Sequence, residues 1–438
     1  MQRVLWAAAL LVFAAVAYCA TSEEQRTLFG RVLLTAARRP IDAAARNRRE
    51  CGPFLDALRA HTPVALVTPA IVALNVIVFV SMMFGRGALA NPETLVAWGA
   101  NFGPRTTNGE WWRLVASLFI HTGLLPLIVN LAGLVQLGLI LERVVGRLAF
   151  VAVYVAAGIF AGLLSVAGHP VTVSAGASGA IAGLYGLLFT CGVWDLFRPS
   201  PIPIPLVAVK RLAPAAALFL VYNTFDGSIG MRAEFLALVA GFVSGLVLTS
   251  GVGDRRPERR LLGAVTAAMT ALAIIGAVPL RGITDVRPEI ARVLDIEGRT
   301  VPGYRSAEAR FWKGQVGATM LADLIERTIM PELRVARDRL TVLQGVPREQ
   351  QHLIVDAEEY VRLRSESWRL RAEALRRIAA PLRRDALSAG LVADAKWRDR
   401  AATEHRVTQV MLGRAEGTER ASLEVLERLK RPITIDTQ

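Results

Sequence analysis

The segment GASGAIAGLYG, Gly176 to Gly186, sets a serine between glycines at the head of an apolar run. Glycines recur at 176, 179, 183 and 186, a spacing that lets a second helix approach closely. The run continues to Trp194 without a charged residue, so it reads as a membrane helix with Ser178 at its start. A serine so placed is either a nucleophile or a packing residue bonded to its own backbone. A neighbouring group able to take its proton would separate the two readings.

Outward from this helix, the 438-residue chain is 53% hydrophobic, well above an ordinary soluble domain. Apolar stretches near the length of a membrane span cover Val4–Ala20, Val64–Phe84, about Leu118–Leu141, Ala149–Gly168, Gly176–Trp194, Leu206–Phe225, Phe235–Ser250 and Leu261–Leu280. Beyond Arg281 charged residues become dense and no further span follows. The expected class is all-α, a polytopic membrane protein followed by a helical extramembrane domain. Its parts are an N-terminal hydrophobic segment (1–20), a basic linker (21–62), a membrane core (63–250), a basic loop with a further membrane helix (251–281), and the tail (282–438).

The formal charge is +14, but its basic residues are spread over short loops and a mixed-charge tail, which argues against nucleic acid as a partner. Eight arginines in 21–63, Arg143 and Arg147, then Arg198, Lys210 and Arg211, then GVGDRRPERR fall on alternate loops. One assignment places all of them in the cytoplasm, in a cell membrane that would be the inner membrane of a bacterium. The loop Gly168–Ala175, free of Lys and Arg, then lies outside, and span parity sends the tail outside with it. The same alternation favours retaining Val4–Ala20 as a membrane segment over its removal as a signal peptide. Cys19, Cys51 and Cys191 share no metal or disulfide spacing; Cys191 reads as a small core residue. No metal cluster or nucleotide loop indicates a cofactor.

In the tail, Met320, Leu321, Leu324 and Ile325, then Leu340 and Leu343, then Leu423, Leu426 and Leu429 lie at helical spacing. Pro331, Pro347, Pro381, Gly390 and Pro432 are expected to divide it into three or four helices of an antiparallel bundle. His352 and His405 read as solvated. A tail of this kind could also serve as an interaction module for a protein partner, with the core as its anchor.

Polar chemistry enters the apolar core at four places. Trp111, Trp112 and Arg113 introduce the second core span, where rings and a cation suit the headgroup boundary. His121 and Asn130 interrupt LFIHTGLLPLIVN, and polar groups inside such a segment are functional candidates by default. Ser178 is the third. Gly241 and Gly245, four apart, permit close helix packing. Packing alone explains each glycine pair, and His121 alone would read as a boundary residue. The ordered set says more than any member of it.

In that order the chain resembles the rhomboid family of intramembrane serine proteases, from about Pro63 to Leu280. The resemblance rests on Trp112–Arg113, His121 to Asn130, the Glu142–Arg143 turn, GASG and the Gly241–Gly245 pair. It implies a six-helix bundle around a water-filled cavity open to the outer face. Leu261–Leu280 is an added seventh helix on that plan, and the lipid bilayer and a transmembrane-helix substrate or client are the partners. It also implies Ser178 as nucleophile, with Asn130 and the Ser178 backbone N–H as oxyanion donors; His121, Gly176 and Gly179 would border the cavity.

The family's base is a histidine on the sixth helix, three residues before one glycine and seven before the next. Counting back from Gly241 and from Gly245 reaches the same residue, Leu238. No histidine occurs anywhere from 170 to 351, so no realignment of that helix supplies one. The family's second-helix histidine, four before Asn130, is Pro126, and the aromatic four after the serine is Ala182. Leucine accepts no proton, and proline lacks even a backbone donor. Loss of general base catalysis alone costs roughly 10²- to 10⁴-fold. His169, nine residues before Ser178, and Glu234, one turn before Leu238, are the substitutes to weigh; each also reads as an exposed boundary residue. Three functions follow: a rhomboid-type scaffold that is proteolytically silent or impaired and binds client helices, an active serine endopeptidase with a displaced base, or an anchor for the tail.

Overall fold

A computed structural model of the chain describes residues 54, 56–60, 62–85, 89, 91–197, 216, 217, 219–221, 228–248, 259–380 and 395–431. The expected Val4–Ala20 segment, nearly all of the basic linker and most of Leu206–Phe225 lie outside the described residues. The chain forms two compact units, one up to Gly282 and one from Ile283 to Thr434.

In the first unit α1 (Val67–Phe84) carries no charge and is apolar on every side, as a helix bathed in lipid must be. The short α2 (Pro92–Trp98) starts on the Asn91 side chain, which accepts from the Glu93 N–H at 2.8 Å, and stops at Gly99. A two-residue strand β1 (Asn101–Phe102) and two single helical turns lead into α3 (Leu124–Val144). α4 (Arg147–Gly168) turns back at Gly146, and β2 (Val173–Ser174) pairs antiparallel with β1. α5 (Ser178–Phe197), α6 (Ser228–Leu248) and α7 (Arg259–Ala277) complete the unit. Four helices among the described residues, α1, α3, α4 and the one spanning Arg260–Leu280, are long and apolar enough to cross a membrane. The unit is an integral membrane protein by that measure.

Small residues set the helix directions. A Cβ built on Gly179 would lie 2.2 Å from the Cβ of Ala161, and one on Gly183 would lie 2.3 Å from that of Ala157. Rising numbers on α5 thus meet falling numbers on α4, and the two are antiparallel. A Cβ on Gly241 would lie 2.0 Å from the Gly183 carbonyl oxygen, and one on Gly245 would lie 2.6 Å from Thr190 Oγ1. α5 and α6 are therefore parallel and touch backbone to backbone. Thr190 Oγ1 donates to the Phe242 carbonyl at 2.8 Å across the same seam.

Two expectations at the second span need correcting. The helix begins at Leu124, not near Leu118; residues 117–119 form a 3₁₀ turn and His121 sits in the loop after it. Arg113 is not a headgroup-facing cation. It is buried, donating to the Val96 carbonyl and to Ala100 at 3.2 Å and pairing with Glu110 at 2.6 Å. Trp112 alone faces outward, 54% exposed, with the Arg113 guanidinium 4.8 Å from its ring centre.

The second unit is wholly helical: α8 (Arg287–Trp312), α9 (Ala318–Leu324), α10 (Met330–Val342), α11 (Gln351–Ala379) and α12 (Ala395–Leu429). Its core joins Ile290, Leu321, Ile325, Leu333, Trp368 and Leu426. Pro331 does not divide the helices as expected. α9 passes into α10 through a π turn, Ile325–Ile329, whose wider coil gives the proline ring room just past it. Met320 and Leu423 also depart from the expected stripe and are exposed, whereas Leu321, Ile325, Leu340, Leu426 and Leu429 are buried. Both lone histidines, His352 and His405, are exposed as expected.

A charged cluster crosses this core. Arg364 is 1% exposed and donates through two nitrogens to Glu297, at 3.0 and 2.8 Å. Its Nη1 lies 2.9 Å from Glu419 Oε1, an ion pair without hydrogen-bond alignment. Tyr360 donates to Glu297 at 2.6 Å, and Arg371 pairs with Glu419 at 2.6 Å. α8, α11 and α12 are thereby locked in one register.

Candidate functional site

Ser178 is the first residue of α5, half-buried, at the end of a loop held from three sides. The β1–β2 pairing aligns Asn101 with Ser174 and Phe102 with Val173. Asn101 Nδ2 donates to the Gly162 carbonyl at 2.9 Å and to Ser174 Oγ at 3.2 Å, while Thr106 Oγ1 donates to Asn101 Oδ1 at 2.8 Å. Gly103 passes so close to Pro170 that a Cβ there would lie 2.1 Å from the Pro170 carbonyl oxygen. The Gly176 N–H donates to the Ser117 carbonyl at 2.9 Å. Gly176 itself has φ +125°, a conformation that a side chain would strain, so the turn presenting Ser178 requires glycine.

Asn130, buried on α3, is brought to this turn: its Nδ2 lies 3.7 Å from where a Gly176 Cβ would stand. A side-chain amide donor thus faces the backbone just ahead of the serine, beside the N–H groups that open α5. His121 is almost completely buried, and neither ring nitrogen has an ordinary hydrogen-bond partner among the described residues. Gly179 is packed on Ala161 and so serves helix contact. His169 caps the end of α4, its N–H donating to the Ser165 carbonyl at 2.8 Å, and is half-buried. Glu234 lies half-buried on α6.

Leu238 projects from α6 into a cluster with Ala161, Ala182 and Ala237. Ala182 lies four residues, about one helical turn, beyond Ser178 on α5, so Leu238 packs about one turn below the serine. The α6 backbone presses against α5 just below, where a Cβ on Gly186 would lie 2.0 Å from the Leu238 carbonyl oxygen. Where the family carries its base, α6 carries a hydrocarbon side chain packed among alanines.

Sequence reading missed the strand pair and the Asn101–Thr106 clamp, since two-residue strands have no periodicity to detect. It also passed over Tyr185, two turns below Ser178 on the same face, whose hydroxyl is buried without a partner among the described residues. Glu142 was legible only as part of a turn. It proves to be a buried staple whose carboxylate accepts from the N–H groups of Leu66, Val67 and Thr68 and from Thr68 Oγ1, at 2.6 to 2.9 Å.

A helical membrane core with a glycine-bounded serine at the head of one helix defines the class. The Rhomboid domain model matches residues 108–255. The chain is 33% identical over 164 residues to "Putative rhomboid protease YdcA" of Bacillus subtilis (strain 168), covering 37% of this chain and 76% of that one. It is 39% identical over 117 residues to rhomboid protease GluP of the same organism, 27% of this chain but only 23% of GluP. To rhomboid protease AarA of Providencia stuartii it is 26% identical over 227 residues, 48% of this chain and 72% of AarA. The chain belongs to the rhomboid family. The match spans under a quarter of GluP, and protease is the name those relatives carry.

Proposed function

We propose that this chain is a rhomboid-family membrane protein in which intramembrane proteolysis is lost or strongly impaired, and which uses the scaffold to bind transmembrane helices of client proteins. The observation that carries this reading is Leu238, packed with Ala182 one turn below Ser178. A serine hydroxyl is a weak nucleophile without an adjacent base, and leucine in place of the family's histidine accepts no proton. Pro126 depletes the oxyanion side in the same way, since it has no donor of any kind to offer. What remains favourable is the binding part: the fixed turn at Gly176, the Asn130 amide and a close-packed α5–α6 pair. As a multi-pass protein of a cell membrane, the inner membrane in a bacterium, it would meet its clients within the bilayer.

The test is labelling of the purified full-length protein in detergent with a serine-directed fluorophosphonate. Wild type and Ser178→Ala are expected to remain unlabelled alike. Leu238→His is expected to gain labelling by roughly 10²-fold or more, the contribution of a general base, and to lose it again when combined with Ser178→Ala. Wild-type labelling that disappears in Ser178→Ala would sink the silent reading; His169 would then be the first base to mutate.

A further inference from the structure

One groove in the membrane unit lies away from the serine, on α7. Ser244 Oγ on α6 meets Met269 Sδ on α7 at 3.2 Å, and only ten residues join these consecutive membrane helices, so α6 and α7 are antiparallel. α6 is also antiparallel to α4, through α5. α4 and α7 are therefore parallel, and their first residues stand at the same membrane boundary.

Along one face of α7, with Leu148 of α4 as its other wall, runs an open groove of about 680 Å³ lined by Leu262, Gly263, Thr266, Ala267 and Ile274 among others. The threonine hydroxyls on its wall are turned inward to their own helix: Thr266 Oγ1 donates to the Leu262 carbonyl at 2.7 Å and Thr270 Oγ1 to the Thr266 carbonyl at 2.8 Å. The lining is thus apolar in effect. From Leu262 to Ile274 the helix rises roughly 18 Å, close to one leaflet of a hydrocarbon core about 30 Å thick. A spanning helix needs the full thickness. An acyl chain from one leaflet needs half.

The boundary end of the groove is cationic. Arg147 adjoins Leu148, is 46% exposed in its side chain, and spends one nitrogen on the Val64 carbonyl at 2.8 Å. Arg260, exposed, precedes Leu262 by two residues on α7. Arg143, at the end of α3, is buried with its Nε unpartnered among the described residues. The nearby carboxylate, Glu142, is 3.9 Å from Arg147 but already accepts four hydrogen bonds from the start of α1. Basic pockets at this level between membrane helices suit phosphorylated headgroups.

We propose that this groove binds an anionic phospholipid, its acyl chain along α7 and its phosphate between Arg147 and Arg260. Both halves of the ligand are read from the site: a chain-length apolar lining and two arginines, Arg147 and Arg260, at its boundary end.

Full-length protein purified in mild detergent would be equilibrated with phosphatidylglycerol or with phosphatidylcholine of identical chains, and retained lipid counted by native mass spectrometry. Selective retention of one phosphatidylglycerol is expected. Arg260→Gln is expected to lower that retention about five-fold. Gly263→Leu adds a side chain where a Cβ meets no atom within 4 Å, so it folds, fills the groove and abolishes the preference. Arg281→Gln, past the far end of α7, is expected to leave it unchanged. Equal retention of both lipids, or a preference that Arg260→Gln and Gly263→Leu leave intact, overturns the proposal. So does equal loss in Arg281→Gln, which would mean diffuse charge. A change of oligomeric mass in Gly263→Leu with lipid retention intact would assign the groove to a second copy of the chain.

Discussion

At the scale of single residues, the membrane unit depends on polar groups that have no water to fall back on. Glu142 shows this most clearly. Its buried carboxylate closes the open N–H groups at the start of α1, from a helix more than 70 residues away. Glu142→Gln keeps the shape but turns one acceptor into a donor facing donors. It should cost about 1.5–3 kcal/mol, read as a shift in unfolding of the detergent-solubilised protein. Leu238→His poses the opposite question, adding a proton acceptor to a hydrocarbon cluster, and its readout is labelling of Ser178 rather than stability. The Ser178 motif and the leucine three residues before Gly241 were legible in the sequence because they are defined by spacing along one helix. Arg113 was misread as a boundary cation because its acceptors, the Val96 and Ala100 carbonyls, are backbone atoms that leave no trace in residue types.

At the scale of elements, the contact that decides the site is α5 on α6. Glycines at 183, 186, 241 and 245 bring the two backbones together, and the same contact fixes the height of Leu238 relative to Ser178. Gly241→Ala, with its Cβ 2.0 Å from a carbonyl oxygen, should destabilise the membrane unit by about 1–3 kcal/mol. Gly192→Ala on α5, where a Cβ meets nothing within 4 Å, should change it by less than about 0.5 kcal/mol. Comparing the two by thermal unfolding in one detergent isolates the helix contact. In the tail, Arg364 plays the corresponding part with charge. Arg364→Met would leave Glu297 and Glu419 with fewer cations in a dry core and should cost about 3–5 kcal/mol by denaturant unfolding.

At the scale of the whole molecule, the two units are built on different solvents, and pH should act on them differently. Burial alone would raise the Glu419 carboxyl, but the close charges of Arg364 and Arg371 and the hydrogen bond from Arg371 outweigh it and hold it below its ordinary value. A lowered folded-state value means stabilisation that is complete above the unfolded carboxylate range, about 4.3, and lost as pH falls through the folded value. The 283–434 unit should therefore be acid-labile below about pH 4, and circular dichroism of Glu419→Gln should show a shallower acid transition. The sequence by itself determined the fold class, four of the membrane spans and the place of Ser178 at the head of a helix, because hydropathy and helical spacing are local properties. It also foretold the helical tail, but not the unbroken passage through Pro331, which a π turn permits. Tertiary structure alone decided that Glu142 caps α1, that a two-residue strand pair braces the serine loop, and that Leu238 packs with Ala182 one turn below the serine. Those are contacts between residues far apart in the chain, set by how closely whole helices can approach.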